Sequence, residues 1–114
     1  MRLPKADAVI IAKEKITDYL LNPLHPDGAP KAVFFAAHGF TAENWQLLAE
    51  AFRQLATNSE AALQVISRHG QKYVVDGPLT TPAGRMPIVR TIWIIDEGGD
   101  TPRLLTANPH PEGE

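Results

Sequence analysis

The sequence contains no cysteine among its 114 residues. Disulfide frameworks, thiolate zinc sites and cysteine nucleophiles are therefore excluded. It also carries little net charge, with 11 basic against 13 acidic side chains and a formal charge of −2. A protein that coats nucleic acid through broad electrostatic attraction is strongly basic, so that class is disfavoured. An acidic protein can still bind one phosphodiester if its positive charge is local.

Long hydrophobic runs are missing as well. No apolar stretch approaches the roughly 18 residues that suggest a membrane span, and the start, MRLPKADAVI, lacks the apolar region of a secretory signal. We therefore expect a cytoplasmic protein without a membrane segment. The length fits one α+β domain over residues 1–109, followed by a flexible acidic tail over residues 110–114.

The first half of the chain has the apolar spacing of helices. Residues 16–20 predict a short amphipathic helix that ends near Pro23. A second helix is predicted to begin at Pro30 and to end at Gly39 in a left-handed cap. Thr41 is the predicted N-cap of a third helix. The apolar stripe of that helix comprises Trp45, Leu48, Ala49, Phe52 and Leu55.

The second half of the chain has the pattern of strands. They are predicted over residues 63–68, 73–76, 88–95 and 103–107, with turns near His69 and Gly98. The predicted fold is α+β, with three N-terminal helices packed on one face of a C-terminal four-stranded antiparallel meander. The other face is then open to solvent or to a ligand. The edge at residues 103–107 is free to pair with a second chain, so the oligomeric state stays open.

Arg90 conflicts with its surroundings in the strand over residues 88–95. Side chains alternate along a strand, so Arg90 shares a face with Ile88, Ile92 and Ile94. A half-buried guanidinium is costly without a partner. Two interpretations follow: Arg90 pairs with a carboxylate such as Asp76 or Asp18 or extends to the sheet edge, or it holds an anion such as a substrate phosphate.

The other polar candidates lie in loops and at element ends. Arg85 follows a predicted turn, and Arg103 opens the last strand; with Arg90 they could form an anion site, or each could be solvated. In the run HPDGAPK, His25 can transfer protons and Lys31 can hold a phosphate. Alternatively, His25 caps a turn and Lys31 lies at a helix start.

The remaining histidines are not expected to belong to a shared site. His38 is expected to interact with a helix C-terminus, whereas His69 and His110 are expected to be exposed. The sequence has no metal-ligand spacing, no phosphate-binding or dinucleotide fingerprint and no serine elbow. We therefore expect neither a metal nor a cofactor, and metal-free acid–base chemistry is the remaining route for an enzyme.

Several runs of the sequence resemble an uncharacterised bacterial domain family of about this length. They are HPDGAPKAVFF, HGFTAENW, KYVVDGPLTTPAGR, VRTIWII and PRLLTANP. Together they cover nearly the whole chain. The family has no firmly assigned activity, so this resemblance supports a bacterial origin and the domain boundaries.

A more distant resemblance is to the barnase/EndoU/colicin/RelE group of metal-independent ribonucleases. It rests on helices followed by a four-strand meander, a strand with arginine, threonine and tryptophan, and a closing TA-x-P. In that group, which includes toxins, the exposed sheet face binds RNA and polar side chains assist attack of the 2′-hydroxyl on the phosphodiester. By position, the resemblance implies the site residues His25, Lys31, Arg85, Arg90, Thr91 and Thr106. The sequence departs from the group in its acidic pI and in Asn108, where a tyrosine is expected.

The sequence is therefore compatible with two functions. The first is a ribonuclease-like toxin of a toxin–antitoxin or conflict system, with RNA as its partner. The second is a non-catalytic interaction module (an antitoxin, immunity protein or adaptor) that binds a cognate protein through the open sheet face. A cationic pocket on that face favours the nuclease, and an apolar or acidic face favours the module.

Overall fold

The computed structural model describes residues 1–110 and has the predicted α+β architecture. After a short 3-10 turn, Ala6–Ala8, helix α1 begins with an α-helical turn, Lys13–Lys15, and continues as a π-helical segment, Ile16–Leu20. Helix α2 spans Ala29–Ala37 and helix α3 spans Trp45–Asn58. Within the described part of the chain, no helix is long and apolar enough to cross a membrane.

The second half of the chain forms one antiparallel sheet of four strands in sequential order. The strands are β1 (Ala61–Ser67), β2 (Gly70–Pro78), β3 (Ile88–Asp96) and β4 (Arg103–Pro109). Each is longer than, or shifted from, its predicted range, because backbone pairing continues past the apolar run that marks it. The meander and its helical cover confirm the predicted fold class.

The two faces of β3 show how the layers are arranged. Val89, Thr91 and Trp93 are fully buried and belong to the core that the helices cover. Arg90 and Ile92, on the opposite face, are only partly buried. The helices therefore lie on one face, and the other face is open, as alternation along a central strand predicts.

Helix α2 ends as the sequence predicts. Gly39 has a φ of 96°, a left-handed conformation that glycine adopts without a side-chain clash. The backbone N–H of Phe40 then donates to the carbonyl of Phe35 at 3.1 Å, and the two rings lie 6.3 Å apart in the core. This turn directs the chain back across the helical layer toward α3.

The predicted N-cap of α3 is wrong. The helix begins at Trp45, and Thr41 lies in the preceding turn. The backbone N–H of Thr41 donates to Asn44 Oδ1 at 2.7 Å, and the N–H of Asn44 donates to Thr41 Oγ1 at 3.2 Å. This exchange fixes the turn over residues 41–44 and moves the helix start to its end.

The two sheet edges differ in how they are covered. The start of β4 pairs with Ile10, whose N–H donates to the carbonyl of Pro102 at 2.9 Å and whose carbonyl accepts from Leu104 at 3.0 Å. The edge expected to be free is therefore partly occupied. Strand β1 receives one such contact within residues 1–110, from the N–H of Ala61 to the carbonyl of Met1 at 2.7 Å. The open edge is thus β1.

The sequence does not predict three backbone irregularities, of which one is a register shift between Leu63 and Val65 in β1 and the others lie in α1 and β4. In α1, the N–H of Leu21 donates to the carbonyl of Ile16, five residues earlier, at 2.8 Å. In β4, the register shifts so that Thr106 opposes Ile92 while Leu104 opposes Trp93. One residue of β4 is therefore bulged. These features change the direction of the side chains that follow.

The Thr91 hydroxyl links β3 to β2 on the core side of the sheet, and substitution of Thr91 tests how much this link stabilises the fold. Its Oγ1 donates to the carbonyl of Val75 at 2.7 Å and accepts from Trp93 Nε1 at 2.8 Å, with no solvent exposure. Thr91→Val keeps the shape but leaves the indole N–H without its partner. We expect the free energy of unfolding, measured by urea titration, to fall by about 2 kcal/mol.

Thr57→Val is the matched control. Thr57 is exposed and its hydroxyl donates to the carbonyl of Arg53 at 2.9 Å, so water can replace that bond. We expect a change below about 0.5 kcal/mol. Equal effects of the two substitutions would contradict the assigned role of Thr91.

Candidate functional site

The six residues implied by the ribonuclease resemblance lie in four places. His25, Lys31 and Thr106 lie around Tyr19, where the helices meet β4. Arg90 is on the open sheet face, and Thr91 is buried in the core with its hydroxyl bonded on both sides. The structure therefore brings together three of the six. Arg85 is in an exposed loop.

Tyr19 is the centre of the largest group, which we call the Tyr19 cluster: Lys15, Tyr19, His25, Lys31 and Thr106. The Tyr19 hydroxyl lies 2.8 Å from Thr106 Oγ1, and the Tyr19 ring meets the His25 ring edge-on with centroids 4.9 Å apart. The ammonium groups of Lys15 and Lys31 lie 5.3 and 5.5 Å from the ring centroid. These are cation–π distances, so both charges are held beside the ring.

His25 has a defined hydrogen-bonding state. Its Nδ1 accepts from the backbone N–H groups of Asp27 and Gly28, each at 3.0 Å. In the neutral ring the proton is then on Nε2, which makes Nε2 a donor. His25 therefore caps a turn, as in the structural alternative, and its geometry does not suit a proton acceptor.

The turn after His25 packs directly on Tyr19. A Cβ built at Gly28 would lie 2.2 Å from the carbonyl oxygen of Tyr19 and 3.0 Å from its Cδ1. A side chain at this position would separate the turn from α1. Lys31, one turn further, donates from Nζ to the carbonyl of Asp27 at 3.3 Å. Glycine at position 28 thus brings the turn and the start of α2 into contact with Tyr19.

A depression of about 570 Å³ opens beside the Tyr19 cluster. Its charged lining comprises Lys15 and three carboxylates, those of Glu14, Asp18 and Asp27. Carboxylates can accept protons, and ammonium and hydroxyl groups can hold a phosphate. The depression therefore supplies both chemical functions within one junction.

Arg90 forms an ion pair on the open sheet face. Its Nε and one terminal nitrogen donate to the two carboxylate oxygens of Asp76, each at 2.9 Å. His110 Nε2 lies 3.3 Å from the same carboxylate, and the His110 side chain is only 23% exposed. The prediction that His110 is exposed is thus wrong. Its backbone N–H donates to the carbonyl of Ile88 at 3.0 Å, which holds the residue against β3. Residues 111–114 of the expected tail lie outside the described residues.

The three arginines considered together do not converge. Arg103 donates to Asp96 at 2.8 and 3.1 Å, at the far end of β3 from Arg90. Because Arg103 opposes Ile94, it is displaced along the strands by four residues, or about 13 Å. Arg85 lies outside the sheet in an exposed loop. The three arginines therefore do not form the anion site that was one of the two interpretations, and the depression on the open face has two carboxylates, Glu60 and Asp76, beside Arg90 and is not cationic.

Two further histidines lie where the sequence indicates. His38 is buried, and its Nδ1 lies 3.0 Å from the carbonyl of Phe34 in the last turn of α2. His69 is exposed in the turn between β1 and β2. Among residues 1–110, no group of three or more histidine or carboxylate side chains is placed to hold a metal ion.

Sequence reasoning missed the central residue of the site. Tyr19 falls on the apolar stripe of α1 with Ile16 and Leu20, a position that indicates burial of its ring and no functional role. Its hydroxyl instead reaches Thr106, which is 87 residues away in sequence. A tyrosine on an apolar stripe with a lysine four residues earlier was the available signal.

Comparison with known proteins identifies the family to which the chain belongs. The family described as a domain of unknown function, DUF6883, matches residues 2–111, and the chain belongs to it. The resemblance to such a domain family is thereby confirmed. No curated protein matches the chain.

The fold is similar to that of a chain in a solved structure. It is a chain of the "Contact-dependent growth inhibition toxin - immunity protein complex from Klebsiella pneumoniae 342", with a TM-score of 0.68 and 16% sequence identity. The match covers 89% of this chain and 99% of that chain. At this identity the likeness shows the fold alone.

The Asp76–Arg90 ion pair predicts a pH-dependent contribution to stability. The hydrogen bond from Arg90 holds the pKa of the Asp76 carboxyl below its ordinary value, although burial opposes this. The folded state thus binds the proton less tightly than the unfolded state. The stabilisation is complete above the unfolded pKa of about 3.9 and is lost as the pH falls through the lower folded value.

We therefore expect Asp76→Asn to lower the melting temperature at neutral pH. The difference from the unsubstituted protein should shrink as the pH falls below about 4. Thermal unfolding followed across this pH range measures both effects. Asp7→Asn is the control, since Asp7 is exposed and makes no ion pair within residues 1–110. A difference that is constant with pH would contradict the linkage.

Proposed function

We propose that the protein is a metal-independent endoribonuclease of a bacterial toxin–immunity or toxin–antitoxin system, with the Tyr19 cluster as its active site. One observation carries the proposal: His25, Lys31 and Thr106 meet at one tyrosine beside an open depression. These residues come from a loop, a helix start and a strand. Their convergence supports a site, since each residue alone also has a structural role.

Phosphodiester cleavage requires a proton acceptor and groups that offset negative charge, and this junction contains both. The 2′-oxygen of RNA attacks phosphorus and loses its proton to a base, while the bond to the 5′-oxygen breaks and that oxygen takes up a proton. The carboxylates that line the depression are the proton acceptors in this proposal. Lys15 and Lys31 offset the charge on the phosphate, and His25 donates a hydrogen bond from Nε2 without losing its proton. The carboxyl group that has taken the 2′ proton releases it to the 5′-oxygen as the bond to phosphorus breaks.

The junction places two ammonium groups beside one ring, and although three carboxylates line the depression, this local pair of positive charges is where a phosphate would bind. Lys15 and Lys31 stand beside one aromatic ring, whereas the whole chain has a formal charge of −2. Such a site binds one phosphodiester at a defined place and does not coat a duplex. Arg90 is already bonded to Asp76, so we place it, with Thr91 and Arg85, outside the reacting group.

The fold supports the assignment to a toxin–immunity system. The solved chain with the similar fold comes from a complex of a growth-inhibition toxin with its immunity protein. The resemblance to metal-independent ribonucleases points in the same direction. On this proposal the substrate is RNA in the bacterial cytoplasm and the cognate partner is a protein that restrains the activity.

A second function is favoured by the free edge of β1. That strand, AALQVIS, has no charged residue, and Leu63, Val65 and Ile66 are 42%, 44% and 68% exposed. An uncharged exposed edge can pair with a strand of another protein. The alternative is therefore a non-catalytic antitoxin, immunity protein or adaptor that binds a cognate protein through this sheet.

The ribonuclease proposal predicts cleavage of single-stranded RNA by the purified protein in the presence of EDTA. The products should carry a 2′,3′-cyclic phosphate and a 5′-hydroxyl, as gel mobility and end-labelling would show. Lys31→Gln should lower kcat/KM by about tenfold or more, because one charge beside the phosphate is lost.

Lys5→Gln is the matched control for loss of a lysine charge. Lys5 pairs with Asp100 at 2.6 Å, near the β3–β4 turn, and lies outside the Tyr19 cluster. We expect this variant to cleave RNA at the unsubstituted rate. Intact RNA after incubation with the folded, unsubstituted protein would overturn the proposal and favour the interaction module.

A further inference from the structure

Two of the irregular stretches of backbone in this fold meet at one hydrogen bond. Tyr19 lies in the π-helical segment of α1, and Thr106 lies at the bulge of β4. Their hydroxyl oxygens are 2.8 Å apart. In a regular helix and a regular strand, the two side chains would point in other directions than those seen here. π turns and bulges are frequent at functional sites.

We propose that the Tyr19–Thr106 hydroxyl pair holds a non-bridging oxygen of the RNA phosphate that reacts. The inference rests on the proposed ribonuclease function and adds the residue that contacts the phosphate. In a pair of hydroxyls joined by one hydrogen bond, one O–H donates to its neighbour and the other is left to donate outward. A phosphate oxygen is an acceptor that suits this remaining donor.

The contacts of the Tyr19 ring determine which part of the nucleotide it meets. The ring is in contact with His25 and lies within cation–π distance of Lys15 and Lys31. A stacked nucleobase would have to compete with these side chains for contact with the ring. Tyr19 also lines the depression, so we assign its hydroxyl rather than its ring to the substrate, and the site then contacts the backbone rather than a base.

His25 has a positioning role in this arrangement. Its Nδ1 is held by two backbone N–H groups, and its ring edge fixes the Tyr19 ring. Gly28, whose Cβ would collide with the Tyr19 carbonyl, keeps this turn against α1. The ring is thus held from one side by the turn and from its hydroxyl end by Thr106. Such fixed donors stabilise a transition state without reorganisation.

The decisive test compares Tyr19→Phe with Tyr73→Phe. Each substitution removes one hydroxyl and keeps the ring, since Tyr73 Oη donates to Gln71 Oε1 at 2.7 Å in another part of the sheet. We expect Tyr19→Phe to lower kcat about 100-fold with KM within about threefold, because the lost bond strengthens in the transition state. Tyr73→Phe should shift the melting temperature by a similar amount and leave kcat unchanged.

A merely structural role for Tyr19 gives a different result. In that case Tyr19→Phe and Tyr73→Phe would both lower the melting temperature and both keep kcat at temperatures well below it. Retained kcat in Tyr19→Phe would overturn the inference and leave the ribonuclease function intact. Thr106→Val, which removes the other hydroxyl, is expected to lower kcat in the same way.

A binding measurement separates this inference from the proposed function. The probe is a 2′-O-methylated oligoribonucleotide, which keeps the phosphates but cannot be cleaved by its 2′-oxygen. If the unsubstituted protein cleaves no RNA, the ribonuclease function fails. The phosphate site then stands if the probe binds and Tyr19→Phe weakens binding while Tyr73→Phe does not. Equal binding by both variants, or no binding at all, overturns the site as well.

Discussion

The hydrogen bond between Tyr19 and Thr106 is the contact on which the candidate site depends. It joins the helical layer to β4 across 87 residues of sequence, at a distance of 2.8 Å. His25, Lys31 and the Gly28 turn all pack against the same ring. If Tyr19 pointed elsewhere, these side chains would be separate surface residues. The bond is thus a structural link, and in the proposed site it also positions a donor for the phosphate.

The remainder of the fold supplies a rigid frame for this junction. Thr91 and Trp93 are bonded to each other and to β2 in a core with no solvent exposure, which fixes the helix side of the sheet. On the other face, Arg90 is bonded to Asp76. Thr91 and Arg90 were both candidate site residues by sequence. In the structure each has hydrogen-bond partners that account for its presence. The depression beside the Tyr19 cluster is instead lined by polar groups of α1 and of the His25 turn, next to Leu105 of β4.

Much of the fold could be predicted from the sequence, and the reasons are local. The apolar stripe over residues 45–55 and the cap at Gly39 depend on spacing within a few residues, and both are found in the structure. The start of α3 was misplaced because two side chains, Thr41 and Asn44, compete with the helix for backbone groups. Element boundaries depend on such details more than element types do.

The site could be predicted only in part. His25, Lys31 and Thr106 were named individually, but no spacing rule shows that three distant segments meet. The π turn and the bulge decide that meeting, and both arise from tertiary packing that periodicity does not contain. Tyr19 was missed for the same reason, because its position on the stripe indicates burial of the ring and says nothing of the hydroxyl.

The most direct test of the account is a crystal structure of the protein with a bound 2′-O-methylated oligoribonucleotide. We predict a phosphate oxygen within hydrogen-bond distance of the Tyr19 hydroxyl, with the ammonium groups of Lys15 and Lys31 beside it. A strand bound across the open sheet face, with its phosphate at Arg90 and the Asp76 ion pair broken, would contradict it.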